Sequence, residues 1–109
     1  DAAITLSQPV DLSSATAPLL RFWHRLSLDS TSYDYAYVEA SSDGGATWTG
    51  LEQFYRGDNT STWSLQSLSL SAFVRESVLV RFRLWDDATG ESHVADGWYI
   101  DDVEIAELE

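Results

Sequence analysis

Residues Tyr33 to Leu51, YDYAYVEASSDGGATWTGL, constrain the fold of this chain more than any other stretch, because they spell two strands joined by one tight turn. Tyr35, Tyr37 and Glu39 alternate with Ala36, Val38 and Ala40. That is the period-two pattern of a pleated strand whose two faces meet different surroundings. Asp43-Gly44-Gly45 then supplies a side chain that can bond its own backbone, followed by two residues that reach positive φ without a Cβ clash. Thr47-Trp48-Thr49 opens the return strand.

The octapeptide Ser41 to Trp48 also matches the pattern Ser-x-Asp-x-Gly-x-Thr-Trp, and so resembles the Asp-box that braces hairpins in sialidase propellers. A propeller needs a blade motif that recurs at a fixed period, and here the box occurs once. The pattern is therefore read as a turn brace, with the carboxylate tying down backbone amides and Trp48 packing beneath, and not as sialidase chemistry.

The rest of the chain carries strand signals and no helical period. Ala3 to Gln8 predicts a short opening strand closed by Pro9. Between Leu19 and Leu28, Leu20, Phe22, His24, Leu26 and Leu28 share one face, and Arg21, Trp23 and Arg25 share the other. Gln53 to Thr62 reads as a loop, followed by a strand through Trp63, Leu65 and Leu68. In Val78 to Trp85, Val78, Val80, Phe82 and Leu84 point inward, opposite Arg81, Arg83 and Trp85. Asp86 to Gly97 is a polar loop, and Trp98 to Ile105 a closing strand. About seven or eight short strands, with turn signals roughly every ten residues, predict an all-β antiparallel sandwich.

At 109 residues, the chain is expected to form one domain over residues 1–109, large enough to bury a core without staples. It has no cysteine, and no apolar run long enough to cross a membrane. It also lacks methionine, and is expected to be a domain cut from a larger, processed polypeptide. Eighteen acidic residues stand against six basic ones, a formal net charge of −12. Nucleic acid is an unsuitable partner for such a surface, whereas divalent cations and neutral polymers stay open. Solubility outside the cell accounts for most of the carboxylates.

Catalysis needs carboxylates, or a carboxylate and a histidine, converging in a cleft. His24 sits within an apolar alternation and is read as a hydrogen-bonded core residue. His93 lies in a polar loop, and neither belongs to a zinc-binding pair. Nothing in the sequence brings Glu39 and Glu104 to glycosidase spacing. The chain is expected not to be an enzyme.

A sharper question attaches to Asp96, Asp101 and Asp102. Aspartate is disfavoured in strands, and neighbours on a strand point to opposite faces, so one of Asp101 and Asp102 faces inward unless a bulge intervenes. A buried carboxylate needs a partner. Calcium is one solution, with Asp29, Asp34, Asp86 and Asp87 as further oxygen ligands from loops. An ion pair with Arg81 or Arg83 is the other.

The second constellation is aromatic. Trp23 lies among Arg21 and Arg25, and Trp85 follows Arg81 and Arg83 on one face of its strand. On a common sheet these would form a ladder of indoles and guanidiniums, suited to a neighbouring domain or to the faces of sugar rings.

Taken in order, Leu20-Arg21-Phe22-Trp23-His24, Tyr33 to Glu39, the hairpin, Val80-Arg81-Phe82-Arg83 and Asp96-Gly97-Trp98-Tyr99-Ile100-Asp101-Asp102-Val103 resemble the MAM-like jelly-roll domain near the C-terminus of immune inhibitor A secreted bacterial metallopeptidases. The resemblance implies a sandwich of jelly-roll type and a non-catalytic accessory module outside the cell or on its surface. It also implies a structural calcium near the final Asp-Asp strand. The expected partners are adjacent domains of a parent protein. The alternative is a carbohydrate-binding module that holds extracellular polysaccharide.

Overall fold

The computed structural model describes residues 2–6, 8–27, 35–54, 60, 62–85 and 97–107. Among these residues eight strands are seen: β1 Ala2–Thr5, β2 Val10–Asp11, β3 Pro18–Ser27, β4 Tyr35–Ser41, β5 Thr49–Phe54, β6 Ser64–Ser69, β7 Ser77–Trp85 and β8 Gly97–Glu107, with a 3₁₀ turn at Ser71–Phe73. All pair antiparallel. One sheet has the order β1-β7-β4-β5, with β2 also on β7, and the second has the order β6-β3-β8. The result is the expected antiparallel β-sandwich. The chain crosses between the sheets from β2 to β3, β3 to β4, and at each step from β5 to β8.

The core follows from the alternation. Leu20, Phe22, His24 and Leu26 of β3 are buried, as are Ala36, Val38 and Ala40 of β4 and Val78, Val80 and Phe82 of β7. Phe82 meets the ring of Phe22 edge-on at 5.1 Å and that of Trp98 at 5.7 Å, tying both sheets together. Burying each large apolar side chain of this kind contributes about 1.5–3 kcal/mol.

Two boundaries differ from the sequence reading, and one strand shows its faces only in the structure. The opening strand is two short pieces, β1 and β2, both on β7. Pro9 lies between them and has no N–H to give to the ladder. β5 runs on through Gln53 and Phe54, because Phe54 packs against His24 and Trp98 at 5.1 and 6.0 Å between centroids. Leu65 and Leu68 are three residues apart and so face opposite ways. Leu68 lies opposite buried Leu20, and Leu65 opposite exposed Trp23.

The β4–β5 turn is braced as its pattern predicts. The Asp43 carboxylate accepts from Ser41 Oγ at 2.7 Å, from the Thr47 N–H at 2.9 Å and from the Thr47 hydroxyl. The Ser41 hydroxyl in turn accepts from the Gly45 N–H at 2.9 Å. These donors, the Thr47 hydroxyl first, hold the Asp43 carboxyl well below the usual carboxylate range. Gly44 and Gly45 have φ of 73° and 97°, a region that side chains with a Cβ rarely occupy.

Candidate functional site on the three-stranded sheet

The outer face of β6-β3-β8 is built by the odd-numbered residues of β3. Trp23 lies between Leu65 on β6 and Asp101 on β8. Arg25 lies opposite Tyr99, and Arg21 between Ser67 and Glu104. Trp23 is 41% exposed, Leu65 39% and Tyr99 52%, and Trp63, just before β6, is 46% exposed. Trp23, Leu65 and Tyr99 are thus three large apolar side chains left in water on one face of a strongly acidic chain. Scattered single residues of this kind need no explanation, but a group on one sheet face does.

A bulge shapes this face. Arg21 pairs with Glu104 and Trp23 with Asp101, so Phe22 alone lies opposite both Asp102 and Val103. Asp102 takes up the extra residue at φ 53°, in the left-handed region that Asp and Asn tolerate better than most residues. Its N–H donates to the Asp101 carboxylate at 2.8 Å. Asp101 and Asp102 are consequently both exposed, which removes the inward-facing carboxylate that the strand pattern implied. Beside the bulge lies an open cleft of about 320 Å³, lined by Arg21, Trp23, Leu65, Asp102, Val103 and Glu104. Arg21 Nη1 reaches Glu104 at 3.4 Å, while its Nε is occluded and has no partner among the described residues.

The opposite outer face uses similar residues in a closed arrangement. Arg81 and Arg83 flank Glu39 and donate to its carboxylate from their Nε atoms at 2.9 and 3.1 Å. Arg83 Nη2 adds a bond at 3.3 Å. The guanidinium of Arg81 lies 4.0 Å over the Trp48 ring, and that of Arg83 lies 4.3 Å over Tyr37, which stacks on Tyr35. Burial pushes the Glu39 carboxyl up, but the hydrogen bonds and charges of Arg83 and Arg81 outweigh it and hold the group below the usual range.

This geometry corrects two expectations. Arg81 and Arg83 are engaged by Glu39, on the far sheet from Asp101 and Asp102, and do not pair with those aspartates. The expected binding group also divides. Trp23, Arg21 and Arg25 lie on β3 in one sheet, while Arg83 and Trp85 lie on β7 in the other, so no single ladder joins them. Glu39 and Glu104 likewise belong to different sheets and do not converge. The sequence reading does not group Tyr99, Leu65 and Glu104 on a face with Trp23. Parity along β8 and the odd spacing of Leu65 from Leu68 are the signals that point to it.

Of the candidate calcium ligands, Asp29, Asp34, Asp86, Asp87 and Asp96 lie outside the described residues, as does His93. Among the described residues, no group of three His, Cys, Asp or Glu is arranged to hold a metal. Of the described residues next to them, Ser27 pairs with Gly97 and Tyr35 with Trp85. Asp101 is four residues along β8 from Gly97, about 13 Å at strand rise. His24 is fully buried, and its Nδ1 accepts from the Trp98 indole N–H at 3.0 Å, as expected of a hydrogen-bonded core histidine.

Fold and surface together define a class: an antiparallel β-sandwich with exposed aromatic side chains on the outer face of its three-stranded sheet. The particular family follows from sequence comparison. The profile of the Reelin subrepeat B family matches residues 3–106, and the chain belongs to that family. It is 35% identical over 101 residues to Bacillopeptidase F of Bacillus subtilis (strain 168), a match that covers 91% of this chain and 6% of that protein. In fold it is similar to the K1 cleaved adhesin domain of Lys-gingipain from Porphyromonas gingivalis W83. There the TM-score is 0.59 at 21% identity, over 98% of this chain and 63% of that one. The chain therefore corresponds to a small part of the peptidase it resembles. No helix among the described residues is long and apolar enough to cross a membrane.

Proposed function

We propose that this chain is a non-catalytic accessory module of a longer secreted bacterial protein, a peptidase in the first instance, and that it works outside the cell or at its surface. In this reading the module binds an adjacent domain through the outer face of β6-β3-β8. The observation that carries it is the exposed group of Trp23, Leu65 and Tyr99 on one sheet face, flanked by Arg21, Arg25 and Glu104. Exposed aromatics and arginine bordered by polar residues are the composition favoured at the centre of protein interfaces. Support for the peptidase context comes from the relative named a peptidase, of which the matching segment is a small share.

The test is association in trans between the 109-residue chain and the remainder of the parent polypeptide. Trp23→Ala with Tyr99→Ala should abolish that association while leaving the melting temperature of the module nearly unchanged. Unaltered association in the double variant would move the interface elsewhere.

Carbohydrate binding is the second reading, favoured by the one observation that Trp23 flanks an open cleft lined with Arg and carboxylate groups. Saturable binding on a polysaccharide panel, lost in Trp23→Ala, would establish it. Kinship with the MAM-like jelly-roll domains of immune inhibitor A peptidases stands on the same footing, supported by the β-sandwich and the closing Asp-Gly-Trp-Tyr-Ile-Asp-Asp motif. Calcium is also proposed, as a structural ion held by Asp29, Asp34 and Asp96, on the strength of the acidic residues that the sequence places there. Asp101 and Asp102 are better accounted for by the bulge.

A further inference from the structure

The two outer faces of this sandwich carry similar chemistry in different states of completion. On the larger sheet, one carboxylate, Glu39, serves two guanidiniums, Arg81 and Arg83, and each guanidinium covers an aromatic ring, Trp48 and Tyr37. There both guanidiniums meet a carboxylate and a ring within the chain. On the smaller sheet, Glu104 meets one guanidinium, that of Arg21, and only at 3.4 Å. Trp23 is 41% exposed, and among the described residues no cation lies over its ring. Asp102 is exposed at the bulge beside it, with no cation on its carboxylate among the described residues. The cleft between them is open and about 320 Å³ in volume. Arg25 lies opposite Tyr99 on this face, so among the described residues the Trp23 ring and the Asp102 carboxylate are left without a guanidinium.

Resting on the interaction-module reading above, we infer that the cleft is a socket for a guanidinium from a basic segment of a protein partner. The incoming arginine lies against the Trp23 indole and takes one carboxylate from Asp102 and one from Glu104. Glu104 then serves two guanidiniums, as Glu39 does on the other face. Charge complementarity selects this occupant. The chain carries a net charge of −12 and no lysine, so a basic segment is drawn to its surface and meets no competing ammonium. Planar guanidinium is preferred over ammonium because it stacks on indole and bonds carboxylate through two parallel N–H groups. Arg21, which also lines the cleft and reaches Glu104 at 3.4 Å, leaves room for no more than one further cation.

The experiment titrates the 109-residue chain with hexa-arginine, hexalysine and a panel of neutral oligosaccharides. The indole N–H resonance of Trp23, assigned by its loss in Trp23→Phe, is followed by NMR. Hexa-arginine should shift this resonance saturably, bind more tightly than hexalysine, and weaken as salt is raised. Trp23→Ala, Asp102→Asn and Glu104→Gln should each weaken binding by about threefold to tenfold. Glu76→Gln, which removes the same charge from an exposed site remote from the cleft, should weaken it by less than about twofold. Asn suits the left-handed backbone of residue 102, so a loss in Asp102→Asn reports the charge and not the bulge.

Equal weakening by Glu76→Gln and Asp102→Asn overturns the socket in favour of diffuse attraction to an acidic surface. An oligosaccharide that shifts Trp23 where hexa-arginine does not overturns it in favour of sugar. If hexa-arginine leaves Trp23 unmoved while the parent polypeptide still binds through Trp23 and Tyr99, the socket fails and the interaction module stands. If hexa-arginine binds at Trp23 while the parent polypeptide does not associate, the socket stands and the docking of an adjacent domain fails.

Discussion

The indole N–H of Trp98 on β8 donates to Nδ1 of His24 on β3 at 3.0 Å, inside an otherwise apolar core. This bond sets the tautomer: Nδ1 must be unprotonated to accept, so the neutral ring carries its proton on Nε2. That donor is buried with no partner among the described residues. Protonating His24 would cost the Trp98 bond and place a charge among Phe22, Phe54 and Trp98.

Stability should therefore fall as pH drops below about 6.5. Burial lowers the folded-state pKa of His24 from its ordinary 6.5, so between that lowered value and 6.5 the unfolded chain binds more protons. The contribution is complete above 6.5 and is lost as pH falls through the folded value. Urea melts between pH 7.5 and 5 should show this slope. His93→Gln should retain it and His24→Phe should remove it, and a slope unchanged in His24→Phe would assign the effect elsewhere.

Phe82→Ala should cost about 3–5 kcal/mol, as large core truncations do. Its ring is nearly buried and contacts Phe22 and Trp98 across the two sheets. A loss below about 1 kcal/mol in denaturant melts would show that the core closes without it.

Glu39→Gln should destabilise the chain by about 2–3 kcal/mol, since two partly buried guanidiniums lose their shared carboxylate. The Glu39 carboxyl sits below its ordinary 4.5, so its share of stability is present above that value and lost as pH falls through the folded pKa. The acid limb of the stability profile should thus flatten in the variant.

Asp102→Val should cost about 1–3 kcal/mol, because a β-branched residue is strained at φ 53°, whereas Asp102→Gly should be nearly neutral. Equal stability of the two variants would mean that the bulge moves to another residue.

Calcium added after thorough chelation should raise the melting temperature, because a ligand bound only by the folded state stabilises it by mass action. Asp96→Ala should remove most of the gain and Asp101→Ala little of it. No shift across the titration would leave the acidic loop segments without a cation role.

The strands, their faces and the braced turn are readable from the residues because they depend on local periods. Leu20-Phe22-His24-Leu26 and Val78-Val80-Phe82 bury their faces wherever their strands are placed, and Asp43 bonds Thr47, four residues away. Pairing is a different matter. Arg83 and Glu39 are 44 residues apart, and His24 and Trp98 are 74 apart. No local pattern states that β3 and β7 belong to opposite sheets, which parts Trp23 from Trp85 and leaves Arg83 with Glu39. The bulge at Asp102 is likewise a product of register against β3. Two adjacent aspartates pose a conflict in an isolated strand, and only the mismatch of Phe22 against Asp102 and Val103 turns both to solvent and opens the cleft beside Trp23. Side-chain period is local, whereas strand partnership is decided by the burial of both sheets at once.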